Sequence, residues 1–140
     1  MAPLQEPFFI VMNKFIIQVN GTVYGSTASF RALRFTESVL SLGHQVSHVF
    51  FYQDGVMNSS ALICPASDEH DLHRAWTKLA TEHNLHLVNC VSAALRRGVL
   101  SAQDANENRK DAFNASDKFT MGGLGELVTG IEQSDRLICF

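Results

Sequence analysis

The stretch LHLVNCVSAALRRGV, residues 85–99, decides the fold. Its first five residues form a short apolar run, the pattern of a buried strand. Its second half, VSAALRR (91–97), has the composition of a short helix, and Gly98 supplies the stop. Cys90 stands where one pattern gives way to the other. If the same strand-then-helix order runs through the chain, the sheet is parallel.

It does. KFIIQV (14–19) is nearly continuously apolar, as a strand covered on both faces should be. Ala28, Ala32, Phe35, Val39 and Leu42 then recur every three to four residues, one face of a helix that Gly43 ends. QVSHVFFY (45–52) reads as a second strand and QDGVMNSSALICPAS (53–67) as a turn-rich loop. Leu72, Ala75, Trp76, Leu79 and Ala80 give a single apolar stripe. Ser67 is placed to cap that helix, Asp68 and Glu69 to complement its dipole, and Asn84 to close it. Beyond residue 99, SAQDANENRKD (101–111) reads as a helical turn with exposed loop and KFTM (118–121) as a short strand. GLGELVTGIEQ (123–133) reads as a helix and RLICF (136–140) as a last strand. These elements predict one three-layer α/β/α domain over residues 12–140. Its sheet is mainly parallel, of about five strands, and flavodoxin-like in general layout.

Composition narrows the function. A chain of 140 residues with 46% hydrophobic and 18% charged residues can bury one full core. A net charge of −3 provides no field for a phosphate backbone, which argues against direct nucleic-acid binding. Three cysteines with no CxxC pair fit free thiols in a reducing compartment, the cytoplasm. FFIVMNKFIIQV (8–19) is broken by Asn13 and Lys14 and is too short to span a bilayer, so no membrane role is expected. Glu6 stands where a signal peptide carries basic residues. Met12 reads as the start of the domain, and residues 1–11 as an extension or remnant.

In parallel sheets, reactive groups gather beyond the carboxyl ends of the strands, where Cys90 lies. A cysteine between a strand and a helix sits near first-turn N–H groups that stabilise a thiolate, the nucleophilic form. Cysteine is equally a common small core residue, and no histidine lies near it in sequence. Arg96 and Arg97 look like activating cations, but six to seven residues of helix place them roughly 9–10 Å along the axis, which better suits favouring the helix C-terminus, a docking surface or solvated side chains. NGTVYGSTAS (20–29) could hold a flavin phosphate or be a plain βα turn that walls a cleft; it matches no nucleotide motif. Cys64, His70 and His73 invite a metal reading, yet a fourth ligand is missing. Cys139, inside an apolar strand, reads as core.

Five segments carry a likeness to a known family: VFFYQDGVMN (49–58), PASDEHDLHRAW (65–76), CVSAALRRGV (90–99), GGLGEL (122–127) and SDRLICF (134–140). In that order, from about Met12 to Phe140, they resemble the DsrE/TusD sulfur-carrier family, most nearly its TusD branch. The resemblance implies a sulfurtransferase subunit that carries a persulfide on Cys90. It implies a TusA-like sulfur donor, a TusE-like acceptor and an end product 2-thiolated at the wobble uridine of tRNA. It also implies assembly with TusB-like and TusC-like subunits as a dimer of heterotrimers, with no metal, flavin or nucleotide cofactor. Persulfide transfer resembles thiol–disulfide exchange, which needs no general base and so explains the missing histidine. Two alternatives stay open: a DsrE-like subunit of a sulfur-oxidation complex, or a non-catalytic assembly subunit. Cys64 departs from the family pattern, where a small hydroxyl residue is expected. It is either inert or able to form a side disulfide with Cys90 on oxidation.

Overall fold

The computed structural model describes residues 11–140, so the expected extension over 1–11, Val11 apart, lies outside the described residues. Five strands form one sheet: β1 (Lys14–Val19), β2 (Gln45–Phe51), β3 (Leu87–Cys90), β4 (Phe119–Gly122) and β5 (Arg136–Cys139). Their order is β4-β3-β2-β1-β5 and every neighbouring pair is parallel. The chain therefore steps one way across the sheet from β1 to β4, then returns to the far side of β1. Right-handed crossovers in the first direction place α1 (Ala28–Ser41) and α2 (Leu72–His83) on one face; the return places α5 (Leu124–Glu132) on the other. α1 and α2 pack against each other, while α5 rests on β1 and β2. The three expected layers are present, with the two outer ones unequal.

Side-chain alternation assigns the two faces. Val49, Phe51, Leu87, Asn89 and Phe119 share register positions toward α1 and α2. There Phe51 meets Trp76 edge-on at 5.3 Å and Phe119 at 5.2 Å. Phe50, Val88 and Cys90 point the other way, as do Ile16 and His48. Over those last two, Gly130 brings α5 so close that a Cβ would lie 2.6 Å from both side chains.

Four local readings are corrected. α2 begins at Leu72 and is capped by Asp71, whose Oδ1 accepts from Arg74 N–H at 3.0 Å. Ser67 belongs instead to a preceding turn in which Glu69 accepts from Ala66 N–H at 2.8 Å. Leu42 does not join the apolar face of α1 but is exposed, with Leu33 and Thr36 buried instead. The stretch read as loop contains a 3-10 helix, Gln53–Ser59. Cys139 is exposed rather than core, because β5 is an edge strand paired only with β1. The helix ends at Gly43, Asn84 and Gly98 all show the expected positive φ.

Candidate functional site

β3 is buried along its whole length because β2 and β4 flank it. Its last residue, Cys90, is also the N-cap of α3 (Val91–Arg96), with φ −66° and ψ 113° and no capping hydrogen bond from its side chain. The sequence places this thiol at a reachable sheet end. The structure places it at that end but covers it, leaving it 4% exposed in a cluster that includes Ala93 and Ala94. Its neighbour across the ladder is Gly122. A Cβ at Gly122 would lie 2.5 Å from the Glu126 carboxylate. The glycine thus leaves room for the Glu126 carboxylate at the end of β4.

The 3-10 helix Gln53–Ser59 is tied to the chain on both sides of Cys90. Before it, Asn89 Nδ2 donates to Ser59 Oγ at 2.7 Å. After it, Arg97 Nε donates to Asp54 Oδ1 at 2.8 Å. Asn58 anchors the 3-10 helix from below. Its Nδ2 donates to Ser29 Oγ at 2.9 Å and to Gly55 O at 2.8 Å, and its Oδ1 accepts from Trp76 Nε1 at 3.1 Å. His73 Nδ1 lies 2.9 Å from the Asn58 carbonyl. The Ser29, Asn58, Ser59 and Trp76 side chains are buried, so each of their bonds avoids an unsatisfied polar atom, while His73 is half-buried and the buried Asn89 Oδ1 has no partner. Gly55 completes the fit: no Cβ could stand there against the Val19 carbonyl. None of this is written in local sequence, since Asn58 and Ser59 look like ordinary turn residues.

Arg97 also departs from the sequence expectation. The axial estimate separates it from Cys90, but its side chain folds back along α3 and donates through Nη1 to the Ala93 carbonyl at 3.1 Å. Helical side chains lean toward the N-terminus, and axial rise alone leaves that reach out. Arg96 is exposed.

The other sequence candidates are dispersed. Cys64 is exposed, its Sγ donating to Leu62 O at 3.3 Å. His70 packs on Phe30 with centroids 4.7 Å apart, and His73 stacks on Phe119. Among the described residues, no three His, Cys, Asp or Glu side chains are grouped to hold a metal ion. In the 20–29 stretch Ser29 Oγ donates to Gly21 O at 2.7 Å and Ser26 Oγ accepts from Ala28 N–H at 3.0 Å. Those hydroxyls are engaged in closing a βα turn. Under α5, burial and then the nearby His86 hold the His48 imidazole below its ordinary pKa, and its buried Nε2 has no partner. Among the described residues no helix is long and apolar enough to cross a membrane.

Comparison with known proteins agrees with this fold. The profile of the DsrE/DsrF-like family matches residues 13–140. The chain is 46% identical to the sulfurtransferase TusD homolog of Aliivibrio fischeri, over 87% of this chain and 94% of that protein. It is 42% identical to the sulfurtransferase TusD of Serratia proteamaculans, over 92% of this chain and all of that one. A protein of Allochromatium vinosum that carries the DsrE name is also 42% identical, over 91% and 98%. Among solved structures, the ychN protein from E. coli matches with a TM-score of 0.74 over 92% of this chain and all of that one. At 21% identity this likeness shows the fold alone.

Proposed function

Because the chain belongs to the DsrE/DsrF-like family, we propose that it is a sulfurtransferase subunit whose Cys90 accepts sulfur as a persulfide and relays it. One observation carries the assignment to Cys90. Of the three cysteines, it alone ends a buried central strand and caps a helix. A persulfide is labile, and on a residue only 4% exposed it is shielded until a partner engages it, whereas Cys64 and Cys139 are exposed.

The chemistry balances without a cofactor. The Cys90 thiolate attacks the outer sulfur of a donor persulfide, R–S–SH; the new S–S bond forms as the donor's S–S bond breaks, and R–S⁻ leaves. In the second step an acceptor thiolate attacks the outer sulfur of Cys90–S–SH, and the Cys90 thiolate leaves. The sulfane sulfur moves without net oxidation or reduction. The protein has only to hold the thiol, shield the sulfur and present it.

The relay we assign runs in the cytoplasm, from a TusA-like donor to a TusE-like acceptor, with TusB-like and TusC-like subunits completing the complex and tRNA wobble uridine as the destination. A net charge of −3 fits a subunit that leaves RNA binding to another protein. Relatives named TusD match at 42–46% identity and one named DsrE at 42%, and a direct test separates the two pathways. Deleting the gene should abolish 2-thiolation of the wobble uridine; intact thiolation would favour the sulfur-oxidation role. For the site, the purified protein is incubated with a persulfide donor and weighed by mass spectrometry. Wild type and Cys64→Ser/Cys139→Ser should gain one sulfur atom and Cys90→Ser none. Loading of Cys90→Ser, or loss with Cys64→Ser alone, would overturn the assignment.

A further inference from the structure

We propose that Arg97 is a positioning residue for Cys90 and that Asp54 holds it in place, an inference that rests on the persulfide reading above. α3 has six residues, fewer than two turns, and a helix that short has no stability of its own. Its direction is therefore set by what it is tied to. Arg97 supplies one of those ties, its guanidinium bridging the Ala93 carbonyl within α3 and the Asp54 carboxylate outside it. The Arg97 amide bonds to Ala94 O at 3.1 Å, one residue short of the α-helical pattern, and the Ala93 carbonyl is taken by Arg97 Nη1 at 3.1 Å instead. The same side chain reaches Asp54 Oδ1 through Nε at 2.8 Å, joining α3 to the 3-10 helix.

That 3-10 helix is itself fixed by the buried Asn89–Ser59 bond one residue before Cys90. Cys90 thus lies between a buried clamp and a partly exposed one, with side-chain exposures of 32% for Arg97 and 64% for Asp54. The thiol makes no capping bond to fix its own direction. Its orientation follows from the N-cap torsions, which change when α3 tilts. Arg97 acts on the sulfur through α3 and need not touch the donor.

The test uses the Cys64→Ser/Cys139→Ser background and a small donor, glutathione persulfide, with the rate of sulfur loading on Cys90 read by mass spectrometry. Arg97→Gln and Asp54→Asn should each slow loading on the order of tenfold, less than the ~10²-fold of a 1 Å misplacement. The double variant should be no slower than either single one, because both break the same link. Asp54→Glu should recover most of the rate by restoring the carboxylate. Circular dichroism and melting temperature should stay close to the parent's. Unchanged loading, additive losses, or a failure of Asp54→Glu to recover the rate would overturn the proposal. So would a defect seen only with a protein donor, which would make Arg97 a docking residue. Sulfur loading on Cys90→Ser would instead sink the persulfide reading itself.

Discussion

Strands β3 and β5 are each four residues long and each ends in a cysteine, LVNC and RLIC. In β3 all four residues are buried; in β5 three are exposed and one is half-buried. The difference comes from position in the sheet. β3 has a hydrogen-bonded strand on either side and a helix after it, whereas β5 pairs only with β1. Cys139 faces solvent with Gln18 Oε1 3.8 Å from its sulfur; Cys90 sits under cover between two clamps. The same residue at the same place in the same length of strand becomes either an open thiol or a guarded one.

The widest contrast should appear in thiol accessibility. A bulky maleimide should modify Cys139 and Cys64 at once. It should modify Cys90 on the order of a hundredfold more slowly, since access requires a local opening of a few kcal/mol. Equal rates, read by peptide mass mapping, would show that the cover over β3 is absent in solution.

Stability should divide along the same line. Asn89→Ala removes a fully buried amide and its bond to Ser59, and should cost about 1–2 kcal/mol in denaturant unfolding, part of the loss being offset because its Oδ1 has no partner. Leu137→Ala, on a side chain already 39% exposed, should cost about 1 kcal/mol or less. Comparable losses at the two sites would break the comparison.

A smaller effect belongs to the β1–β2 side, where α5 sits over His48. An unfolded histidine titrates near 6.5, and burial places the folded value lower, so in the interval between them the unfolded chain binds more protons. The stability contributed by neutral His48 is therefore complete above pH 6.5 and is lost as pH falls toward the folded value. His48→Phe should flatten that acid limb in pH-dependent melting. Hydrogen exchange in mild acid should loosen α5 before β3; loosening of β3 first would contradict the seat assigned to His48.

Much of this was legible beforehand, for identifiable reasons. Strands and helices betrayed themselves by period, and Cys90 by the change of period across it. The 3-10 helix over 53–59 was not legible because the partners that bury Asn58 and Ser59 lie 18 to 30 residues away, on Ser29, Trp76 and Asn89. The exposure of Cys139 is hidden in the sequence because an apolar run has the same appearance in a central strand and an edge strand. Ser67 and Asp71 are both competent caps, and only the turn closed by Glu69 decides between them. The reach of Arg97 is hidden because residue spacing measures the backbone, and its guanidinium travels back along the helix.

The pairing of β5 with β1 has a consequence for how the protein comes into being. Lys14 N–H donates to the Asp135 carboxylate, and Asp135 N–H to the Lys14 carbonyl, across 121 residues of chain. The β1–β2 pairing Lys14↔Gln45 spans about a quarter of that distance. Two doublings of loop length add only ~1.2 kcal/mol of closure entropy, so the late pairing is a matter of order more than of stability. On a ribosome, β1 to β4 emerge with the helices of one face already beside them. The opposite face over β1 and β2, with Ile16 and Phe50, waits for α5, and the open edge of β1 waits for β5. The nascent chain therefore passes through a stage with one apolar sheet face open, the kind of surface that chaperones bind and that aggregates form from. Pulse-labelled exchange during refolding should find β5 amides protected last; early protection there would refute this order.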